Sequence, residues 1–206
     1  MTHAIECQCG KLKGTLEPIK NYIHCVCYCT DCQAFPRFLG KEHETLDEAG
    51  GTELIQTTPE NLTFSEGIEN LACLRLTAKG LMRWYASCCN TPIANTPSNY
   101  NMPFMGLVHT CLRHEVGSLD NTFGPIRMRV FTKSALGEPK PSSQGLIGCG
   151  AQAAGMITKA RLDGSYKRTP FFDEQSGKCV VTPRILSEQE LESAKIPANQ
   201  TDTKGS

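Results

Sequence analysis

The sequence predicts an α+β fold that is mainly β, built from short strands with minor helices. The stretch Lys11–Leu16 alternates polar and apolar side chains, which is typical of a half-buried strand. Short apolar runs at 52–56, 62–65 and 71–77 follow, and segments rich in Thr, Pro, Asn and Gly separate them. Several short strands divided by turn residues favour a sheet protein over a helical bundle.

The remaining elements of the first half are predicted as follows. Residues 21–29 are rich in β-branched, aromatic and cysteine side chains, which predicts a strand. Residues 29–32 contain Thr and Asp and are interpreted as a tight turn. The charged stretch 37–49 holds a short helix, and 83–88 is a further strand that the segment 90–92, Asn-Thr-Pro, brings to an end.

The second half is less regular. Residues 107–113 fit either a helix or a strand, whereas 145–162, rich in Ala and Gly, predicts a helix packed closely on its neighbours. Residues 178–183 predict a short strand. A last helix begins at Ser187, because Ser187 and Glu190 have the spacing of a capping box.

Composition excludes several classes of function. The chain has 21 basic and 21 acidic residues and no basic block, so no nucleic-acid partner is expected. Its apolar stretches are far shorter than a membrane span, so no membrane partner is expected. The first residues lack the basic and apolar regions of a secretory signal, which favours a cytoplasmic location.

Cysteines are the most informative residues. The chain contains twelve, and in a reducing compartment clustered cysteines indicate metal or redox chemistry more often than disulfides. Cys27, Cys29 and Cys32 can converge on one ion without help from distant segments, and zinc takes thiolates in tetrahedral geometry. Three protein ligands leave one coordination position for an external thiol or water, as in catalytic sites. The alternative is a closed structural site in which Cys25 is the fourth ligand.

Three ordered motifs resemble the glutathione-dependent formaldehyde-activating enzyme family, which includes centromere protein V-like proteins. The matching segments are Cys7-Gln8-Cys9-Gly10, Cys27-Tyr28-Cys29-Thr30-Asp31-Cys32-Gln33 and Arg83-Trp84-Tyr85-Ala86-Ser87-Cys88-Cys89-Asn90-Thr91-Pro92. The resemblance implies a zinc-supported, tent-like fold of short antiparallel strands with one or two Zn²⁺ ions. It implies a catalytic zinc at Cys27, Cys29 and Cys32, and a structural zinc held by Cys7, Cys9 and the late cysteine pair. The resemblance covers a zinc-binding β domain at 1–115. An extension packed on that domain is expected at 116–196, and the polar composition of 197–206 predicts a disordered tail.

The sequence departs from the family pattern at the structural site. Ala86 stands where the family has the first cysteine of the late pair, while Cys89 keeps the second. The fourth ligand is therefore open: Cys88 is the nearest substitute, but neighbours on a strand point to opposite faces, so Cys88 helps only if the chain turns there. Cys73 and Cys111 are further alternatives, as is loss of this zinc with its cysteines simply packed. Two other changes are Gln33 for the usual Arg and Asn90 for Gly; Asn tolerates left-handed backbone better than most residues.

Three functions follow from these patterns. The leading hypothesis is a zinc-dependent carbon–sulfur lyase-type enzyme, which the resemblance implies acts on a small thiol such as glutathione and an aldehyde. The sequence does not identify the acid or the positive group that the resulting alkoxide needs. The second hypothesis is a non-catalytic zinc module that binds a protein or a small thiol. Thiol redox cycling ranks last, because adjacent cysteines such as Cys88 and Cys89 form strained disulfide rings.

Overall fold

A computed structural model describes residues 2–113 and 119–197. Within them the fold is mainly β with a smaller helical part, which confirms the predicted class. The strands are β1 His3–Glu6, β2 Lys13–Leu16, β3 Ile23–Cys27, β4 Thr52–Thr57, β5 Leu62–Glu66, β6 Leu71–Arg75, β7 Met82–Ala86, β8 Thr91–Thr96, β9 Met105–Val108, β10 Met128–Val130 and β11 Arg184–Ile185. The helices are α1 Thr30–Phe38, α2 Glu42–Thr45, α3 Leu119–Phe123, α4 Leu146–Leu162 and α5 Glu188–Lys195.

The strands form two sheets. A three-stranded antiparallel sheet has the order β1-β2-β5, and a larger sheet has the order β10-β3-β4-β9-β8-β7-β6-β11. The inner pairs of the larger sheet are antiparallel, whereas β10 pairs with β3 and β11 pairs with β6 in parallel. Both edge strands therefore come from late in the chain.

The main hydrophobic core lies between the two sheets. It combines apolar side chains of β1, β2 and β5 with those of β4 and of β6 to β9. Trp84 of β7 is fully buried at its centre, with the ring of Phe171 4.6 Å away between centroids. Residues 171–172, beyond the described gap, thus complete the core of the earlier strands. None of the described helices is long and apolar enough to cross a membrane.

The structure corrects several predicted elements. Residues 29–32 begin helix α1 rather than forming an isolated turn, and the predicted helix at 37–49 is divided between α1 and α2. The strand predicted at 83–88 ends at Ala86, and the segment predicted to stop it contains the first residues of β8. In place of the strand predicted at 178–183, the chain has a single bridge between Phe172 and Cys179.

Other predictions are confirmed or fall outside the description. The helix predicted at 145–162 is α4, although Gly148, Gly150 and Gly155 face open space rather than a packed neighbour. The capping box of α5 is present. The predicted domain boundary at 115 falls within 114–118, which the structure does not describe. Of the predicted tail at 197–206, the structure describes residue 197 alone. That division of the chain stays a prediction.

Candidate metal centre

The central cysteine trio lies where β3 meets α1. Cys27 is the last residue of β3, Cys29 is the N-cap of α1, and Cys32 is in the first turn of that helix. The Sγ atoms of Cys27 and Cys29 are 3.4 Å apart, and the three sulfur atoms lie within 4.8 Å of one another. The backbone N–H of Cys32 donates to the Cys29 sulfur at 3.3 Å, so the helix N-terminus itself stabilises a thiolate there. The trio could hold a metal ion.

Cys25 is not part of this group. It lies two residues before Cys27 on β3, pairs with Leu54 of β4, and is fully buried in an apolar cluster with Ile23 and Met128. Burial raises the pKa of the Cys25 thiol to about 12, so the thiol stays protonated at neutral pH. Cys25 is a packing residue in this structure.

Electrostatic support for the trio comes from Arg83, whose role the sequence did not indicate. Its guanidinium is almost completely buried, and Nη1 lies 3.5 Å from the Cys32 sulfur. The pKa of Cys32 is held well below its usual value because the thiols of Cys27 and Cys29 donate to its thiolate; burial opposes this and Arg83 adds to it. The available signal was an arginine between Met82 and Trp84 in a strand of otherwise apolar character.

A second cluster joins two turns. Cys7 begins the turn after β1 and Cys9 lies within it, while Cys88 and Cys89 lie in the turn between β7 and β8. The sulfur of Cys7 lies 3.6 Å from that of Cys9 and 3.7 Å from that of Cys88; Cys9 and Cys88 are 3.3 Å apart, and Cys88 and Cys89 are 3.9 Å apart. Four thiolates at about 2.3 Å from a tetrahedral zinc ion are separated by about 3.8 Å. This cluster could therefore also hold a metal ion.

The turn after β7 explains why Cys88 joins Cys89. The strand ends at Ala86, so the alternation of a strand no longer sends Cys88 and Cys89 to opposite faces. Ala86, the last residue of the strand, is buried in the core and takes no part in the cluster. Asn90 closes the turn with φ at 58°, the left-handed backbone for which asparagine is suited.

Hydrogen bonds hold the second cluster in place. The N–H of Leu12 donates to the Cys7 sulfur at 3.3 Å. The N–H of Gln8 donates to Thr91 Oγ1, which leaves the Thr91 hydroxyl proton free to bond the Cys89 sulfur at 3.1 Å. Although burial acts in the opposite direction, the Thr91 hydroxyl and nearby backbone groups lower the pKa of Cys89 to about 6. Cys89 is therefore poised to be a thiolate at neutral pH.

Comparison with known proteins places the chain in a family. Residues 2–180 match the profile described as Family of unknown function (DUF6151). The chain belongs to that family. Among solved structures, a crystal structure of a Rhodobacter sphaeroides protein is 16% identical with a TM-score of 0.38, and covers 61% of this chain and 97% of its own. No curated protein matches the chain.

One further group of ligand-type side chains in this DUF6151 protein is better explained by an ion pair. His24 Nδ1 lies 2.7 Å from the Gly124 carbonyl, and Nε2 lies 2.6 Å from Glu53 Oε1, with Asp120 3.7 Å from Nδ1. Both near partners accept hydrogen bonds, so both ring nitrogens donate. Although burial opposes it, the hydrogen bond to Glu53 raises the pKa of His24. His24 is a buried link between β3, β4 and α3.

The other alternative ligands lie outside both clusters. Cys111 is buried, and its thiol donates to the Val108 carbonyl at 3.1 Å. Cys73 of β6 is buried in the main core, against which Cys179 packs. In the described part of this DUF6151 protein, two separate cysteine groups therefore have ligand geometry, one with three thiols and one with four.

Proposed function

We propose that this DUF6151 chain is a zinc protein with two sites of different purpose. The second cluster, Cys7, Cys9, Cys88 and Cys89, is the structural zinc site, since four thiols at tetrahedral spacing leave no position for a substrate. The central trio is the functional site. Thiolate ligands favour zinc over harder divalent ions, which supports the choice of metal.

We propose that the functional site performs carbon–sulfur lyase-type chemistry on a thiol such as glutathione and an aldehyde. The observation that carries the proposal is that the central group consists of three thiols, with Cys25 outside it. Zinc bound there would lower the pKa of an external thiol so that it attacks a carbonyl near neutral pH. Cys29, the partly exposed member of the trio, marks the side from which such a thiol could approach.

The residues around the trio would fix its shape and charge. Cys29 orients its sulfur by capping α1, and the Cys32 sulfur is fixed against Arg83. Gln33, at the position of the family arginine, donates to the carbonyls of Tyr28 and Ser134 and so braces the start of the helix without adding charge. Arg83 is the buried positive group next to the trio and would offset negative charge that develops on the reacting oxygen.

We further propose that the chain is a divergent relative of the formaldehyde-activating and centromere protein V-like family. Ala86 stands where that family has a cysteine, and Cys88 belongs to the second cluster instead. The cluster therefore keeps four thiols despite the changed motif, which supports the proposal. A cytoplasmic location fits thiolate sites, which need reduced cysteines.

A non-catalytic zinc module remains the alternative, and Gln33 is the observation that favours it. In the resembling family an arginine follows the central motif, whereas here the Gln33 amide is used by backbone carbonyls. Such a module would bind a small thiol or a protein partner at the trio without turnover.

The test is to purify the full chain, count zinc by elemental analysis, and follow formaldehyde loss with several thiols. We expect two zinc ions per chain and thiol-dependent aldehyde consumption. Cys29→Ser should lose one zinc and the activity, whereas Cys149→Ser, which changes a cysteine outside both clusters, should retain both. Two zinc ions without turnover for any thiol would reject the enzyme and leave the binding module.

A further inference from the structure

Arg83 has an unusual environment for an arginine. It is the second residue of β7, an inner strand of the larger sheet, and it is about 1% exposed. The guanidinium carbon stacks over the Phe35 ring at 5.8 Å from the centroid. Burying a cation in such a place is costly unless an anion compensates it.

The anions that face Arg83 are few in the described structure. Nη1 lies 3.5 Å from the Cys32 sulfur, and Nη2 lies 3.9 Å from Oδ2 of Asp31, whose side chain is about half exposed. Nε has no hydrogen-bond partner among the described residues. The guanidinium thus has one close contact with a trio sulfur, one distant carboxylate and one donor without a partner among the described residues.

Charge explains what this arrangement can do. Three thiolates and one divalent ion leave the trio with one net negative charge, and an anionic fourth ligand adds a second. A neutral fourth ligand adds none. A fixed cation beside Cys32 therefore favours an anionic ligand over a neutral one, and the low dielectric of a buried position strengthens the effect.

We infer that Arg83 is a positioning residue that makes the central trio select an anionic fourth ligand, a thiolate rather than a neutral donor. This inference rests on the proposed function, because it supposes a metal ion in the trio. It adds the residue that makes the site prefer a charged ligand over a neutral one. Arg83 acts through the Cys32 sulfur and through its field, and does not replace a metal ligand.

The experiment uses the full chain loaded with Co²⁺, whose visible spectrum reports ligands added to the metal. Two small probes are titrated: 2-mercaptoethanol, which binds as an anionic thiolate and carries no other charge, and imidazole, which binds as a neutral ligand. Arg83→Met should weaken 2-mercaptoethanol binding about tenfold and change imidazole binding less than about twofold. Arg83→Lys keeps the charge and should retain most of the thiol affinity.

Two further variants complete the design. Asp31→Asn removes the carboxylate that competes with the metal site for the charge of Arg83, so thiol binding should tighten about twofold or more. Because the Asp31 side chain is partly exposed, the change should not disturb the fold. Arg75→Met, on the neighbouring strand β6, is the control, because Arg75 donates to the Gly80 carbonyl instead of a cysteine. It should bind both probes as the unchanged protein does.

Each outcome decides between the claims. If Arg83→Met binds the thiol as tightly as the unchanged protein, or loses both probes equally, the inference is wrong and the proposed function stands. If Arg83→Met does not take up cobalt, Asp31→Asn decides: unchanged or weaker thiol binding rejects the inference. If the unchanged protein takes up cobalt and binds no thiol, the proposed function fails, and the inference fails with it.

Discussion

Asn90 shows how one backbone angle can decide a ligand set. Its φ of 58° turns the chain directly after Cys89 and lets β8 return beside β7. A β-branched residue in left-handed backbone costs about 1–2 kcal/mol, whereas glycine adopts it freely. The turn that gathers Cys88 and Cys89 therefore depends on this position.

We expect Asn90→Val to lower the free energy of unfolding by about 1–2 kcal/mol and to weaken metal binding at the second cluster. Asn90→Gly, the matched change, should leave both nearly unaltered. Urea unfolding of the zinc-loaded proteins measures the first effect, and competition with a chelator measures the second. Equal stability of the valine and glycine variants would contradict the role assigned to the angle.

Cys179 is the residue for which the structure predicts an unusual reactivity outside the clusters. A hydrogen bond from Cys73 lowers the pKa of this half-buried thiol to about 7; burial opposes the effect and the Val181 backbone contributes to it. A thiol with a lowered pKa becomes reactive thiolate at lower pH. Reactivity should therefore rise as pH passes through about 7, not through the usual value of 9.0.

Iodoacetamide labelling of the zinc-loaded chain, followed by peptide mass spectrometry across pH, tests this. Cys73→Ala removes the donor and should move the labelling midpoint of Cys179 upward, whereas Cys73→Ser keeps a donor and should move it less. A midpoint near 9 in the unchanged protein would refute the prediction.

At the residue scale the sequence predicted six of the seven clustered cysteines as metal ligands and left Cys88 as an alternative, and the structure brings all seven into the two clusters. The direction of the Cys88 side chain depends on where β7 ends, because a continuing strand would send Cys88 and Cys89 to opposite faces whereas a turn need not. Arg83 could not be assigned from sequence, since its partner Cys32 is 51 residues away.

Among the elements, helix α1 is the one that sequence reasoning misplaced. Thr and Asp at 30–31 are turn formers but also suit a helix N-terminus, and Cys29 serves as the N-cap through its sulfur. Pro36 lies inside α1, where proline normally breaks a helix. Lacking an N–H, Pro36 leaves the Cys32 carbonyl without its helical donor, and the Thr52 hydroxyl of β4 donates to it at 2.9 Å.

Thr52→Val should therefore cost about 1–2 kcal/mol, because it leaves the buried Cys32 carbonyl without a partner. In a Pro36→Ala background the same change should cost less, since the introduced alanine supplies the missing helical N–H. Urea unfolding of the four members of this cycle, all zinc-loaded, measures the coupling. Identical costs of Thr52→Val in the two backgrounds would disprove the compensation.

Strand β8 is a second element whose position local sequence patterns predicted wrongly. Pro92 indicates the end of a strand, yet it lies in β8, between β7 and β9. Its position coincides with the shift in register between Trp84 and Tyr85 on β7, the kind of irregularity where a strand tolerates proline. By contrast, the capping box at Ser187 depends only on neighbours in sequence, and its prediction is confirmed.

For the whole molecule, the strand order is what the sequence could not provide. Short strands from late in the chain form both edges of the larger sheet. Each edge strand pairs in parallel with its neighbour, β10 with β3 and β11 with β6. Such pairing depends on long-range packing, whereas local alternation predicts only that strands exist. The mainly β class was predictable because it needs local patterns alone.

The two cysteine clusters connect the chain on different scales. The central trio spans six residues, whereas the second cluster joins Cys7 to Cys88, 81 residues apart, and so links the small sheet to the β7–β8 turn. A metal that closes a long loop removes more entropy from the unfolded chain than one that closes a short loop. If both clusters bind zinc, the second should contribute most of the metal-dependent stability.

Cys88→Ser should thus lower the melting temperature of the zinc-loaded chain by about 10 °C, corresponding to a few kcal/mol for a chain of this size. Cys29→Ser should lower it by less than about 3 °C while abolishing thiol binding. Both side chains are partly exposed, so neither change removes a fully buried group. Calorimetry with and without a chelator measures the effect, and Cys149→Ser controls for loss of a cysteine outside the clusters. A larger loss from Cys29→Ser would reverse the assignment, because the local site would then be the one that holds the fold together.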